Sequence, residues 1–189
     1  MIVIFGKGEF LKKFLIAILL FELGICQGGD KSFSFSSSSS EYGRIPISNS
    51  LYGFSTFTLE CWYYETGFSG GDERIVGTEY ANVTPGIYLS RNSSSWSYFG
   101  ADTDENNLGS SSAGSVTQNQ WTHIAMSYDD TTIRLFINGN LVHSEAGNLN
   151  SIGNSNYDLT INRHTWSGGN SSTRLTGQID ELRISNIAR

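Results

Sequence analysis

Little of this 189-residue chain is charged, and almost none of it is proline or cysteine. Charged residues make up 16%, against roughly 25% in ordinary soluble domains. The net charge is −6 and no basic cluster occurs. An acidic chain without clustered Lys or Arg cannot neutralise a phosphate backbone, which excludes nucleic acid as a partner. Two cysteines, Cys26 and Cys61, cannot build a disulfide framework. Long apolar runs are missing too. The main one covers only residues 14–21, whereas a helix crossing a bilayer needs about 20 apolar residues.

That run follows Lys12 and Lys13 and is ended by Glu22, with small residues over 24–29. A basic flank before a short apolar core reads as a secretory leader over residues 1–28, followed by one domain over 29–189. The alternative, a retained membrane anchor, is opposed by the shortness of the run. Leu11-Lys12-Lys13-Phe14 also has the form of a leader's beginning with Leu in place of Met, so residues 1–10 are expected to precede the true start. With the leader gone no membrane span remains, and Cys61 is the sole thiol. Within an apolar segment it reads as a small buried hydrophobe.

What is abundant is glycine, Ser, Thr, Asn and aromatic residues, the last at 13%. Aromatic and β-branched side chains suit pleated strands, and Gly and Asn suit tight turns. Over 55–65, Phe57, Leu59, Cys61 and Tyr63 fall on one face by period two. Thr58, Glu60, Trp62 and Tyr64 fall on the other, a polar and aromatic face that is partly wet or ligand-facing. Residues 121–129 and 132–137 alternate in the same way. Asn138-Gly139 then signals a hairpin returning through 141–144. Over 173–185 the phase of Leu175, Gly177 and Ile179 differs from that of Leu182 and Ile184, which predicts a β-bulge near Asp180-Glu181. Weaker strands are expected at 31–35, 42–46, 74–79, 86–89, 96–100 and 157–162, with 101–116 as a long surface loop. About ten strands and no amphipathic helix predict an all-β sandwich of two antiparallel sheets, because one open sheet leaves a face bare.

Three segments carry a resemblance. Phe57-Thr58-Leu59-Glu60-Cys61-Trp62, Trp121-Thr122-His123-Ile124-Ala125 with its Ile137-Asn138-Gly139 hairpin, and Gly177-Gln178-Ile179-Asp180-Glu181-Leu182-Arg183 resemble the laminin-G-like and pentraxin-like members of the concanavalin-A-like lectin/glucanase superfamily. Tyr42-Gly43-Arg44-Ile45-Pro46 fits an early strand of the same family. The resemblance implies a jelly-roll sandwich. It also implies a structural Ca²⁺ held by Asp180 and Glu41, with Glu41 standing where the family usually has Asp. The alternative for Asp180 is a carboxylate that accepts hydrogen bonds from the bulged backbone.

The glucanases of that superfamily carry paired carboxylates on an E-x-D-x-x-E strand, and no such pattern is present, so no enzyme is expected. Asp102 to Glu105 read as a solvated acidic turn. His123, His143 and His164 are isolated, and structural roles are expected. Sugar rings have apolar faces that stack on aromatic rings, while amides and guanidinium groups bind hydroxyls. This nominates Trp166, Trp96 and Tyr98 with Arg163 and Asn162, whereas Trp62 and Trp121 are expected to pack. The function expected is a secreted lectin-like module that binds a glycan. The alternative is an adhesion module that binds a surface protein on a cell or virion.

Overall fold

The computed structural model describes residues 3–5, 32–36, 38, 41–46, 54–68, 70–78, 86–102, 111–147, 158–163 and 174–189. Most of the leader, Asp104, Glu105, His164 and Trp166 lie outside them.

The regular elements among the described residues are all strands: β1 (Val3–Phe5), β2 (Phe33–Phe35), β3 (Gly43–Ile45), β4 (Phe57–Gly67), β5 (Asp72–Gly77), β6 (Gly86–Asn92), β7 (Ser95–Ala101), β8 (Ser111–Ser115), β9 (Trp121–Tyr128), β10 (Thr132–Ile137), β11 (Asn140–Ala146), β12 (Leu159–Ile161) and β13 (Thr176–Ser185). One sheet runs β1-β13-β4-β9-β10-β11, with β2 also on β13. The other runs β3-β12-β5-β6-β7-β8. Pairing is antiparallel except where β1 joins β13.

Period two decides which side chains meet between the layers. Phe57, Leu59, Cys61 and Tyr63 of β4 join Ile124, Met126 and Tyr128 of β9 in one fully buried cluster. Leu89, Trp96 and Tyr98 of the opposite sheet complete it. Tyr63 meets Trp96 edge-on across the gap, with ring centroids 5.8 Å apart. Burying each such side chain stabilises by about 1.5–3 kcal/mol.

β13 shows how the sequence changes phase. Asp180 faces Trp62 and Arg183 faces Glu60, so Glu181 and Leu182 together oppose Cys61. Glu181 adopts a φ of 48°. Gly177 lies so close to β4 that any Cβ there overlaps the carbonyl oxygen of Tyr64.

Two expectations need correction. Part of the stretch expected as a loop over 101–116 is strand β8, paired with β7. Pairing of this kind uses backbone groups alone, so Ser and Gly permit it, and Gly114 fits close against Trp96. Asp102, read as part of a solvated turn, is fully buried.

Candidate functional site

The outward face of β4 and β9 gathers aromatic residues. Antiparallel register puts Trp62 opposite His123 and Tyr64 opposite Trp121. Directly opposed side chains on one face touch. The Trp62 and His123 rings are 5.2 Å apart and tilted by 57°; the Tyr64 and Trp121 rings are 5.5 Å apart and tilted by 55°. The two pairs follow one another along the strands at about 7 Å, two residues of strand rise. Trp62 and Trp121 are 37% and 39% exposed, so both indoles present surface to solvent.

Beside them lies an open depression of about 630 Å³ lined by Trp62, Gln120, Trp121, His123, Asn138 and Gly139. Its wall is the β10–β11 turn. Asn138 and Gly139 have φ of 50° and 78°, the paired positive values of a type I′ turn, which Asn-Gly adopts at least cost. Asn138 accepts the His123 backbone N–H on Oδ1 at 2.9 Å and donates its own N–H to the His123 carbonyl at 2.8 Å. Both bonds leave the Asn138 side-chain NH₂ available as a donor.

Glu60, next on the same face, is the hub of the flanking charges. It accepts Nη1 of Arg183 at 3.1 Å and Nη1 of Arg189 at 3.2 Å, and His123 Nε2 lies 3.5 Å from it. On the other face of β4, burial, followed by the charge of Glu60, pushes the Cys61 thiol up to about 12, so it stays protonated and unreactive.

Of the nominated residues that the structure describes, Trp96 and Tyr98 lie on β7 whereas Asn162 and Arg163 follow β12, with β5 and β6 between them. Trp96 and Tyr98, expected as platforms, are 1% and 0% exposed and belong to the core. Tyr98 donates its hydroxyl to Glu145 at 2.8 Å; burial, and then this acceptor, hold its phenol well above the usual range. Asn162 is fully buried and ties backbone together. Its Nδ2 donates to the Glu41 carbonyl at 2.9 Å, and its Oδ1 accepts the Leu175 N–H at 2.5 Å. Arg163 stacks over the half-exposed ring of Tyr42, 4.5 Å from its centroid. Trp166 lies outside the described residues.

Asp180 stands on β13 in the first sheet, and Glu41 precedes β3 in the second. Asp180 Oδ1 accepts the Glu181 N–H at 2.8 Å, the bulge-supporting role open to it from sequence. Among the described residues no three His, Cys, Asp or Glu side chains converge on a point. Ca²⁺ takes six to eight oxygens, so these two carboxylates do not by themselves fit the ion.

Trp62 and Trp121, expected to pack, are instead more than a third exposed. The polar and aromatic alternation of Thr58, Glu60, Trp62 and Tyr64 was the signal for it.

Residues 37–189 match the family model described as the Concanavalin A-like lectin/glucanases superfamily. Among curated proteins none matches the chain in sequence. Solved structures share the fold. The Ruminococcus gnavus IT-sialidase CBM40 bound to alpha2,3 sialyllactose superposes with a TM-score of 0.66 at 13% identity, over 85% of this chain and 91% of that one. The binding domain of Paraclostridial Mosquitocidal Protein 1 gives 0.66 at 15%, over 84% and 40%. Domains LG4-5 of the mouse laminin alpha1 chain give 0.59 at 13%, over 84% and 41%. The chain thus spans less than half the length of the last two. Identities this low establish a shared fold alone.

Proposed function

Because the chain belongs to the concanavalin A-like lectin/glucanases superfamily, we propose that it is a non-catalytic, lectin-like module that binds carbohydrate on the aromatic face of its first sheet. One observation carries this reading: Trp62 and Trp121 stand diagonally across the β4–β9 ladder, more than a third exposed, opposite His123 and Tyr64. Large aromatic side chains left in water mark an interaction site. Their π-faces suit the apolar C–H face of a sugar ring, while Gln120 and Asn138 offer amides to its hydroxyls. None of the six residues lining the depression is a carboxylate. Glycoside hydrolysis ordinarily needs two, so the site is read as one for holding rather than cutting. Support also comes from the fold neighbour solved with sialyllactose.

The same reading places the module outside the cell, with residues 1–28 as its leader. Arg163, stacked on Tyr42, and Trp166, from its residue type alone, are proposed as an accessory sugar contact. Calcium at Asp180 and Glu41 is a further proposal; it would require oxygens from other residues.

A glycan array with and without Ca²⁺ tests the reading. We expect binding to at least one glycan class. Trp62→Ala/Trp121→Ala should weaken it by at least about 30-fold, a loss of about 2 kcal/mol of stacking, with unfolding still cooperative and its midpoint lowered only by the loss of the cross-strand pairs. Absence of binding to every glycan, in both buffers, would leave a protein partner as the occupant of the face.

A further inference from the structure

The shape and charge of the aromatic face limit the kind of glycan it suits. This step rests on the carbohydrate reading above and goes on to the class of ligand.

Charge comes first. Glu60 pairs with both Arg183 and Arg189 beside the rings, while Asp180, opposite Trp62, and exposed Glu181 add two further carboxylates at the bulge. The flank therefore has no positive surplus, and the chain as a whole carries −6. Inside the depression none of the six lining residues is Asp, Glu, Lys or Arg. A uronate- or sulfate-bearing polymer finds no uncompensated guanidinium here and approaches a molecule of its own sign. An uncharged polyol loses nothing by comparison.

Shape comes second. Among the described residues the depression is open, with the Asn138-Gly139 turn walling one side. Sites that select a terminal sugar enclose it, and the described residues do not enclose this one. The two aromatic pairs succeed each other along the strands at about 7 Å, which provides two stacking places in a line rather than one. Stacking on a single exposed ring does little more than offset the cost of association for a small ligand. Two places in series add their contributions once the ligand is long enough to reach both.

We propose that this face takes an uncharged polysaccharide lengthwise, over at least two consecutive sugar units in the interior of the chain, with the Trp62–His123 and Tyr64–Trp121 pairs as adjoining subsites. The ends of the polymer play no part in recognition.

The test is calorimetry on the full chain with mono-, di-, tetra- and hexasaccharides from neutral β-glucan, xylan and mannan, and with an oligouronate of matched length. For one neutral series, affinity should rise at least about tenfold from mono- to tetrasaccharide. It should be indifferent to chemical reduction of the reducing end, and stay within about twofold as NaCl goes from about 0.05 to 0.5 M. Trp62→Ala and Trp121→Ala should each bring the hexasaccharide down to monosaccharide strength. Each ring is more than a third exposed, so a cooperative unfolding transition will show that the variants fold. A monosaccharide bound as tightly as the hexasaccharide, a preference for the oligouronate that fades with salt, or sensitivity to the reducing end would each overturn the proposal while leaving carbohydrate binding in place. Length-dependent binding that survives both substitutions would overturn it by moving the site elsewhere. Silence across all sugars, here and on the array, would sink the underlying reading instead.

Discussion

Asn162 does structural work that its polarity does not advertise. Its φ of 60° is one that Asn tolerates better than most residues, and its amide joins segments distant in sequence, at Glu41 and Leu175. Asn162→Ala leaves the buried Leu175 N–H without its acceptor, which costs about 1–3 kcal/mol. Urea unfolding should show that loss while sugar affinity is unchanged; the reverse pattern would return Asn162 to the binding site. The same residue explains why site prediction from sequence stopped short. Residue type says which groups are able to hold a sugar, but exposure decides which of them do. Trp96 and Trp121 are chemically identical, and only the register of each strand buries one and leaves the other wet. For Trp62 the alternation in β4 gave the outward direction. Its polar neighbours Thr58 and Glu60 marked that side as partly wet, but nothing local fixed how much of each indole would stay exposed.

Turns and bulges govern behaviour at the level of the strand. At the β9–β10 turn, Asp129 accepts the Thr131 and Thr132 N–H groups and the Thr131 hydroxyl, and it pairs with Arg134. Arg134 first, then Thr131, hold its carboxyl well below the ordinary range. A depressed folded value means stability that is present above the unfolded pKa of about 3.9 and is lost as pH falls toward the folded one. Asp129→Asn should therefore lower the urea midpoint at pH 7, and the gap to the parent should narrow below about pH 4. In β13, deleting Glu181 removes the bulge but keeps Leu182 and Ile184 facing inward. Deleting Arg183 instead turns Ile184 outward. The first deletion should cost less than about 1 kcal/mol, since it also relieves a left-handed non-glycine residue. The second should cost more than the roughly 1.5–3 kcal/mol that burying one isoleucine supplies. Equal losses in thermal unfolding would refute the assignment of the bulge. Elements of this kind were legible because period two and turn chemistry are local. β8 was not, because its pairing depends on backbone groups that any small residue offers.

For the molecule as a whole, the question is what joins the layers beyond apolar packing. At one end Arg91 of the second sheet meets Glu65 of the first at 2.7 Å, both almost fully buried. Gln118 donates to the other Glu65 oxygen at 3.0 Å, and the Phe68 ring covers the guanidinium at 3.7 Å. Tyr98 and Glu145 make a second link between the sheets. Arg91→Met strands a buried carboxylate and should cost about 3–5 kcal/mol, and adding Glu65→Leu should restore a large part of it. If the double variant is as unstable as the single one in chemical denaturation, the charge pair is not the clasp between sheets. The distribution of indoles, meanwhile, equips the protein with its own optical probe. Among the described indoles, Trp96 emits from a dry interior, whereas Trp62 and Trp121 are partly in water and lie open to collisional quenchers such as iodide; Trp166→Phe removes the fourth from the signal. A guest lying across them shields that red-edge light without touching the blue, so occupancy can be followed by fluorescence on the unlabelled chain.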